Sequence, residues 1–438
     1  MGEKNMIKMS IGLAFLFMIA FSCGESNTAE LKTGSVIFIH PDGSSMSAWA
    51  ALRLVDKGPD GNLNWDNLER VGVYRGHLKN SAVSSSNGGA TVHAFGVKRN
   101  YDDYGISPED PIKSLSGKDY SIMIEAQKAG KSIGVINSGH ICEPGTGCFL
   151  ANAKKRSMED EISLQIINSN ADVIMSGGEV LLLPEGFMGR HGKPGERKDG
   201  KNLIQLAEQL GYKVIYTRDE LLALPDNVEK VLGVFAPKHT FNDKSEEYLK
   251  ENHLPLYFET APSVAEMTQA ALKIFKRKGK DFLLVVEEEG TDNFANKNNA
   301  MGTLEALRHA DAAIGVILNF IKNNPNTLLL TAADSDAGGL NVIEVYKTKY
   351  FEKPLESTTK NGAPLDGREG TETLPFIAKP DQFGKELRFG IAWAGREDFA
   401  GGILARAHGL NSQLLPQNAD NTDIYRMMYM TLFGKWLQ

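Results

Sequence analysis

The chain has 438 residues, 42% of them hydrophobic and 24% charged, with a formal net charge of −7. This apolar content excludes a disordered chain and suffices for one large core or two smaller ones. The acidic balance argues against nucleic acid or an anionic lipid surface as a partner, but not against a phosphate-bearing substrate, because bound cations dominate the field of a local site.

In chain order, Lys4 and Lys8 precede an apolar run from Ile11 to Phe21 and then Ser22-Cys23. The run is shorter than the ~20 residues of a membrane span, so residues 1–23 read as a signal peptide, with Cys23 where a lipoprotein signal is cut and lipidated. The expectation is an exported protein, periplasmic or anchored in the outer membrane by a lipid on Cys23, with residues 24–438 as one domain. Cleavage without lipid is the alternative. Cys142 and Cys148 would then be an even pair in a compartment that permits disulfides, either bridged or as two buried thiols.

Apolar runs bounded by Gly, Asp or Asn follow at 35–39, 132–136, 173–175, 213–216, 231–235, 282–286 and 327–331. Their lack of alternation marks strands buried on both faces. Helical patterns lie between them at 122–129, 159–168, 203–210, 264–276 and 302–321, the fourth opening with a capping box from Ser263 to Glu266. Strands alternating with helices imply an α/β fold, a mainly parallel central sheet with helices on both faces, whose ligand crevice lies beyond the carboxyl ends of the strands. Residues 346–370, rich in Lys, Thr, Pro and Gly, read as a surface excursion.

Several residues carry chemistry at those strand ends. Asp42, between Pro41 and Gly43, offers a carboxylate able to bridge two cations, or simply an Asp-Gly turn. Ser84-Ser85-Ser86 before Asn87-Gly88-Gly89-Ala90-Thr91 places hydroxyls at a helix start, where free amides favour phosphate, or where a serine merely caps the helix. His93, one turn or so beyond the serines, is a base, a ligand or a packed helix histidine. Glu287, Asp292 and Asp334 follow two later strands.

Four segments, Ile37 to Gly43, Ser84 to Thr91, Val286 through Asp292 to Ala300, and Ala333 to Gly339, together resemble the metal-site framework of the alkaline phosphatase family, and the resemblance runs from about Ser35 to the C-terminus. It implies an alkaline-phosphatase-like fold and hydrolysis of small phosphate monoesters through a phosphoserine. Ser86 matches the nucleophile, with Ser84 and Ser85 as register alternatives. Arg156 matches the phosphate-gripping arginine, with Lys154 or Lys155 as fallback. Asp42, Glu287, Asp292 and Asp334 match metal ligands, and Glu143 or Thr146 stands where the family holds magnesium or its waters. Members commonly form dimers, which makes a homodimer the expectation.

The resemblance breaks at three zinc histidines: Asn296, Ser335 and Asp398 stand in their places, although a shifted alignment brings in His408 instead of Asp398. Ser85 also stands where most members have an aspartate that helps fix the nucleophile and the arginine. Zinc favours nitrogen and sulfur, so an all-oxygen set suits magnesium, calcium or manganese better than the family's zinc. The rival readings are a catalytically impaired anion-binding homologue, and a phosphodiester or sulfate ester hydrolase on the same fold.

Overall fold

The unalternating apolar runs become strands with both faces covered. The computed structural model describes residues 32–105 and 113–438. The expected leader and Cys23 lie outside the described residues. Ten strands form one sheet: β1 (Ser35–Pro41), β2 (Arg70–Arg75), β3 (Ser132–His140), β4 (Val173–Gly177), β5 (Lys213–Ile215), β6 (Val231–Val234), β7 (Phe282–Glu288), β8 (Thr327–Thr331), β9 (Leu404–Gly409) and β10 (Asn418–Asp420). Their spatial order is β10-β2-β9-β8-β1-β7-β3-β4-β6-β5. Only β9 runs against the rest, pairing antiparallel with β8 and β2.

Alternate residues along the central strands enter separate cores. Val36, Phe38, Val135, Leu283, Val285 and Leu330 pack with helices Ser86–Phe95, Ile122–Lys128, Glu159–Asn168 and Asn421–Phe433. Ile37, Ile39, Ile136, Leu284, Val286 and Leu329 pack on the other face with Met46–Asp56, Val264–Lys278 and Ala300–Asn323. Each strand therefore needs apolar residues at every position, which is why these runs do not alternate. The capping box forms as expected: Ser263 Oγ accepts from the Glu266 amide at 3.3 Å, and Glu266 Oε2 accepts from the Ser263 amide at 3.0 Å.

Strands β2, β9 and β10 were not expected. Their inward positions are held partly by Gly72, Ala405, Ala407 and Ala419, which give little hydrophobic signal in sequence. The stretch 346–370 is only partly an excursion. Leu365–Gly367 pairs with Arg388–Ala392 in a smaller antiparallel sheet that also holds Asn341–Glu344, Gly370–Thr371 and Phe376–Ile377. Buried Asp366 accepts a hydrogen bond there from Trp393 Nε1 at 2.6 Å. A two-stranded ribbon, Asp336–Ala337 with Asp398–Phe399, lies beside the main sheet.

Cys142 and Cys148 are buried free thiols, not a bridge. Cys142 Sγ donates to the Glu159 carbonyl at 3.6 Å, and Thr91 Oγ1 donates to Cys148 Sγ at 3.5 Å. Among the described residues no helix is long and apolar enough to cross a membrane.

Leu284 lies fully buried on β7, between β1 and β3. Leu284→Ala is expected to cost about 2–5 kcal/mol of stability, read as a lower denaturant midpoint at unchanged slope; an unchanged midpoint would contradict this account of the core.

Candidate functional site

The carboxyl ends of β1, β7 and β8 bring the acidic residues together. Asp42 follows β1, Glu287 lies on β7 and Asp334 follows β8 by three residues. Asp292 lies on the short helix Gly290–Ala295 directly after β7, and Asn296 caps that helix. Asp398 arrives by a different route, in the ribbon strand that pairs with Asp336–Ala337. His408 remains on β9 beside Glu69, at 3.6 Å, so the fold brings Asp398 to the cluster and not His408.

These carboxyls are buried with few partners. Asp42 Oδ2, both oxygens of Asp334, Glu287 Oε1, Glu289 Oε2 and Asp336 Oδ1 are buried without a hydrogen-bond partner, as are Ser335 Oγ and Asn296 Oδ1. Asn296 Nδ2 donates to both Asp292 oxygens at 3.1 Å and to Asp398 Oδ1 at 3.4 Å. Burial first, then neighbouring carboxylates, pushes several of these acids upward. Asp334 is raised by burial and by Asp42, and Asp292 by burial and by Asp398. Glu287 is pushed up to about 8, by burial and then by Asp42. Asp42 itself stays below the ordinary carboxylate range: burial opposes this, but the neighbouring Asp334 carboxyl, itself raised, and the charge of His40 outweigh it.

His40 is a site residue that the sequence reading missed, because a histidine at a strand's end has no motif of its own. Its Nδ1 donates to the Ala332 carbonyl at 2.9 Å, while Nε2 faces Asp42 Oδ1 at 3.1 Å. With one nitrogen committed to a carbonyl, the other meets the carboxylate favourably only through a proton or a cation. Burial opposes charge on His40, yet Asp42 lifts its pKa above the usual value. The side chains of His40, Asp42 and Glu287 present ligand atoms within 4.8 Å of one another.

Asn137 and Thr146 were also not singled out as partners of Glu287. Asn137 Nδ2 donates to Glu287 Oε2 and, at 2.9 Å, to Thr146 Oγ1, which lies 3.3 Å from the same carboxylate oxygen. Of the two alternatives near Pro144, it is therefore Thr146 that reaches Glu287. Both oxygens of Glu143 turn elsewhere: Oε1 to His140 Nε2 at 2.9 Å and Oε2 to Arg156. A side chain at Gly145 would put its Cβ 1.9 Å from Glu287 Oε1, so only glycine admits the carboxylate there.

The three serines separate clearly. Ser84 Oγ donates to the Ser85 carbonyl at 3.4 Å. Ser85 caps the helix: its Oγ accepts from the Gly88 amide at 3.1 Å and donates to the Tyr101 carbonyl at 2.5 Å. Ser86 is the first helical residue, and its hydroxyl is among the groups that hold the Asp42 carboxyl low. The charges of Glu143, Glu289, Asp42 and Asp292 all act on the Arg156 guanidinium, which lines a cleft of about 680 Å³ with Asn87, Asp102, Lys154 and Lys155. His93 is a packed helix histidine: Tyr74 Oη lies 2.7 Å from its Nε2, and its ring meets Phe38 edge-on.

The donor set of Asp42, Glu287, Asp292, Asp334 and Asp398 fits hard divalent cations. Its unpartnered atoms are buried oxygens, whose burial cost a bound cation would offset.

The family described as Alkaline phosphatase matches residues 34–365 of the chain. The alkaline phosphatase of Gadus morhua is 26% identical over 339 residues, 69% of this chain and 69% of that protein. The membrane-bound alkaline phosphatase of Bombyx mori is 24% identical over 336 residues, 68% of this chain and 59% of that protein. The human tissue-nonspecific isozyme is 26% identical over 337 residues, and the match spans 62% of its length, so the chain spans less than two thirds of these last two relatives. Among solved structures, the alkaline phosphatase of the Antarctic bacterium TAB5 superposes with a TM-score of 0.68 at 19% identity, covering 93% of this chain and 100% of that one. A histidine-to-aspartate variant of that enzyme with Mg bound gives 0.69 over the same shares. The Thermus thermophilus enzyme gives 0.70 at 21% identity, covering 93% and 92%. These structural likenesses establish a shared fold.

Carboxyls raised in the folded state bind more protons there than in the unfolded chain, so stability falls as pH climbs from the ordinary carboxylate range through the folded values. Those values are about 6 for Asp336 and about 8 for Glu287. Ion-free protein should therefore melt lower at about pH 8 than at about pH 5.5, and added Mg²⁺ should raise the melting temperature more at the higher pH. Equal Mg²⁺ effects at both pH values, against a chelator control, would contradict the cluster's role.

Proposed function

Because the chain belongs to the alkaline phosphatase family of phosphate monoester hydrolases, we propose that it is an exported, divalent-cation-dependent phosphatase that works through a phosphoserine on Ser86. The observation that carries this reading is Ser86 at a helix start near Asp42, a carboxylate whose charge also acts on the Arg156 guanidinium. The substrate class is a small phosphorylated molecule. Export with a lipid on Cys23, and assembly as a homodimer, belong to the same proposal.

Ser86 Oγ gives up its proton and forms a bond to phosphorus while the bond to the leaving oxygen breaks, and the leaving oxygen departs with a proton, so the balance closes as alcohol release. Asp42, close by, would take the hydroxyl's hydrogen bond in the reacting complex and orient Oγ. Arg156 holds two phosphoryl oxygens as a fork, for which its guanidinium suits better than Lys154 or Lys155. The first amides of helix Ser86–Phe95 point their partial positive charge at the same group. Water then breaks the bond between phosphorus and Ser86 Oγ, releasing inorganic phosphate. Divalent cations held by Asp42, Glu287, Asp292, Asp334 and Asp398 would supply charge stabilisation to the transferring group. The oxygen-rich donors support magnesium, manganese or calcium ahead of zinc, in line with Mg in the aspartate-bearing TAB5 variant.

Metal-stripped protein should hydrolyse p-nitrophenyl phosphate only after a divalent cation is returned, with Mg²⁺, Mn²⁺ or Ca²⁺ more effective than Zn²⁺ alone. Ser86→Ala should lower kcat by roughly a thousandfold or more, and full turnover by that variant would sink the phosphoserine. Silence with every cation on the monoester, tested beside a nitrophenyl diester and sulfate, would move the assignment to the other esters or to an anion-binding homologue. Incorporation of labelled fatty acid that disappears in Cys23→Ala is the expected result for the anchor; its absence leaves simple cleavage.

A further inference from the structure

Arg156 has to be held if it is to grip phosphate, and the residues flanking the nucleophile do not hold it. Its side chain is 46% exposed, and an exposed arginine loses rotamer freedom when fixed. Ser85 is spent on the Tyr101 carbonyl and the Gly88 amide. Among the described residues, the one carboxylate bonded to the guanidinium is that of Glu143, whose Oε2 accepts from Arg156 Nη2.

Glu143 is built to stay where it is. It caps the short helix Pro144–Gly147, its amide donates to the His140 carbonyl at 3.0 Å, and its carbonyl accepts from the Gly147 amide at 2.8 Å. A Cβ at Gly139 would lie 2.8 Å from Glu143 Cγ, so the side chain lies on bare backbone that only glycine provides. Its other oxygen, Oε1, is 2.9 Å from His140 Nε2. The Cys142 amide donates to His140 Nδ1 at 3.3 Å, which leaves Nε2 as the nitrogen carrying the proton toward Glu143. His140 stacks on His239 with centroids 5.1 Å apart, and His239 stacks in turn on Phe241 at 5.1 Å. The His239 loop is pinned to β3 through Thr240, whose amide and hydroxyl both donate to the Ser138 carbonyl, at 2.9 and 2.8 Å.

His140, Glu143 and His239 also form a group with ligand atoms within 4.8 Å of one another. A cation there would compete with the proton on His140 Nε2 and would stand beside the Arg156 charge on the same carboxylate. Hydrogen bonding already accounts for both Glu143 oxygens.

We propose that Glu143, fixed by His140, is the positioning residue for Arg156: a chain from His140 through Glu143 to Arg156 sets the guanidinium for phosphate. This rests on the assignment of Arg156 as the phosphate-binding arginine. The chain supplies from the Pro144 helix a carboxylate that the nucleophile segment, with Ser85, does not offer.

The test is a double-mutant cycle on the full chain with Mg²⁺, read by calorimetric binding of inorganic phosphate and by KM and kcat for p-nitrophenyl phosphate. Glu143→Gln should weaken phosphate binding and raise KM by about tenfold, with kcat changed less. His140→Ala, which leaves the carboxylate on Arg156, should give a smaller change in the same direction. In an Arg156→Ala background neither substitution should weaken phosphate further. Bound Mn²⁺ counted by elemental analysis should be the same in wild type and Glu143→Gln. Loss of one cation equivalent in Glu143→Gln would make Glu143 a metal ligand and overturn the proposal, as would an undiminished effect without Arg156. Phosphate binding is read without turnover, so a protein that binds phosphate through this chain but hydrolyses nothing would retain the inference and refute the phosphatase.

Discussion

Negative charge buried at the ends of parallel strands is the constraint on which the rest of this site depends. Asp42, Glu287 and Asp334 are each no more than 1% exposed, at or just beyond the ends of three adjacent strands, and most of their oxygens lack a partner. A carboxylate in such a place is tolerable only if it takes a proton, shares one with a neighbour or meets a cation. The ion-free chain does the first two: Asp334 is raised while Asp42 is held low, and Glu287 is raised in turn. The surrounding structure makes room for the arrangement, most plainly at Gly145, where any side chain would strike Glu287.

The three positions at which the sequence resemblance implies histidines, Asn296, Ser335 and Asp398, fall within this cluster, and their oxygens shift its chemistry in one direction. Asn296 spans Asp292 and Asp398 with a single amide, so two of the three replaced positions now interact with each other. Ser335 and Asp398 contribute oxygen where imidazole nitrogen would favour zinc. His40 puts an imidazole back, but on β1, against Asp42 and the Ala332 carbonyl. The result is a site rich in oxygen and in negative charge, set on a fold shared with the alkaline phosphatases.

The side proposed to bind phosphate also draws on a distant residue. With Ser85 acting as a helix cap, the carboxylate on Arg156 comes from Glu143, more than fifty residues further along the chain. A contact of this kind passes from one element to another without any change in the fold.

Much of this was legible in the chain itself. The apolar runs from Ser35, Ser132, Phe282 and Thr327 had to be strands buried on both faces, since every position in them is apolar or small, and the acidic residues after them had to collect at one edge of a parallel sheet. The serine run, Glu287, Asp292 and Asp334 could be placed because each lies within a few residues of a strand or helix end. Three things were settled only by tertiary structure. Strands β2, β9 and β10 turn small residues inward and so carry little periodic signal. The choice of Asp398 over His408 depends on a two-residue ribbon pairing with Asp336–Ala337. His40, Asn137 and the turn of Glu143 toward Arg156 depend on side chains meeting across strands and loops. Local sequence determines periodicity and the chemistry available at each strand end. Which of those groups touch is decided by long-range packing, because such contacts join residues far apart in the chain and leave no local pattern.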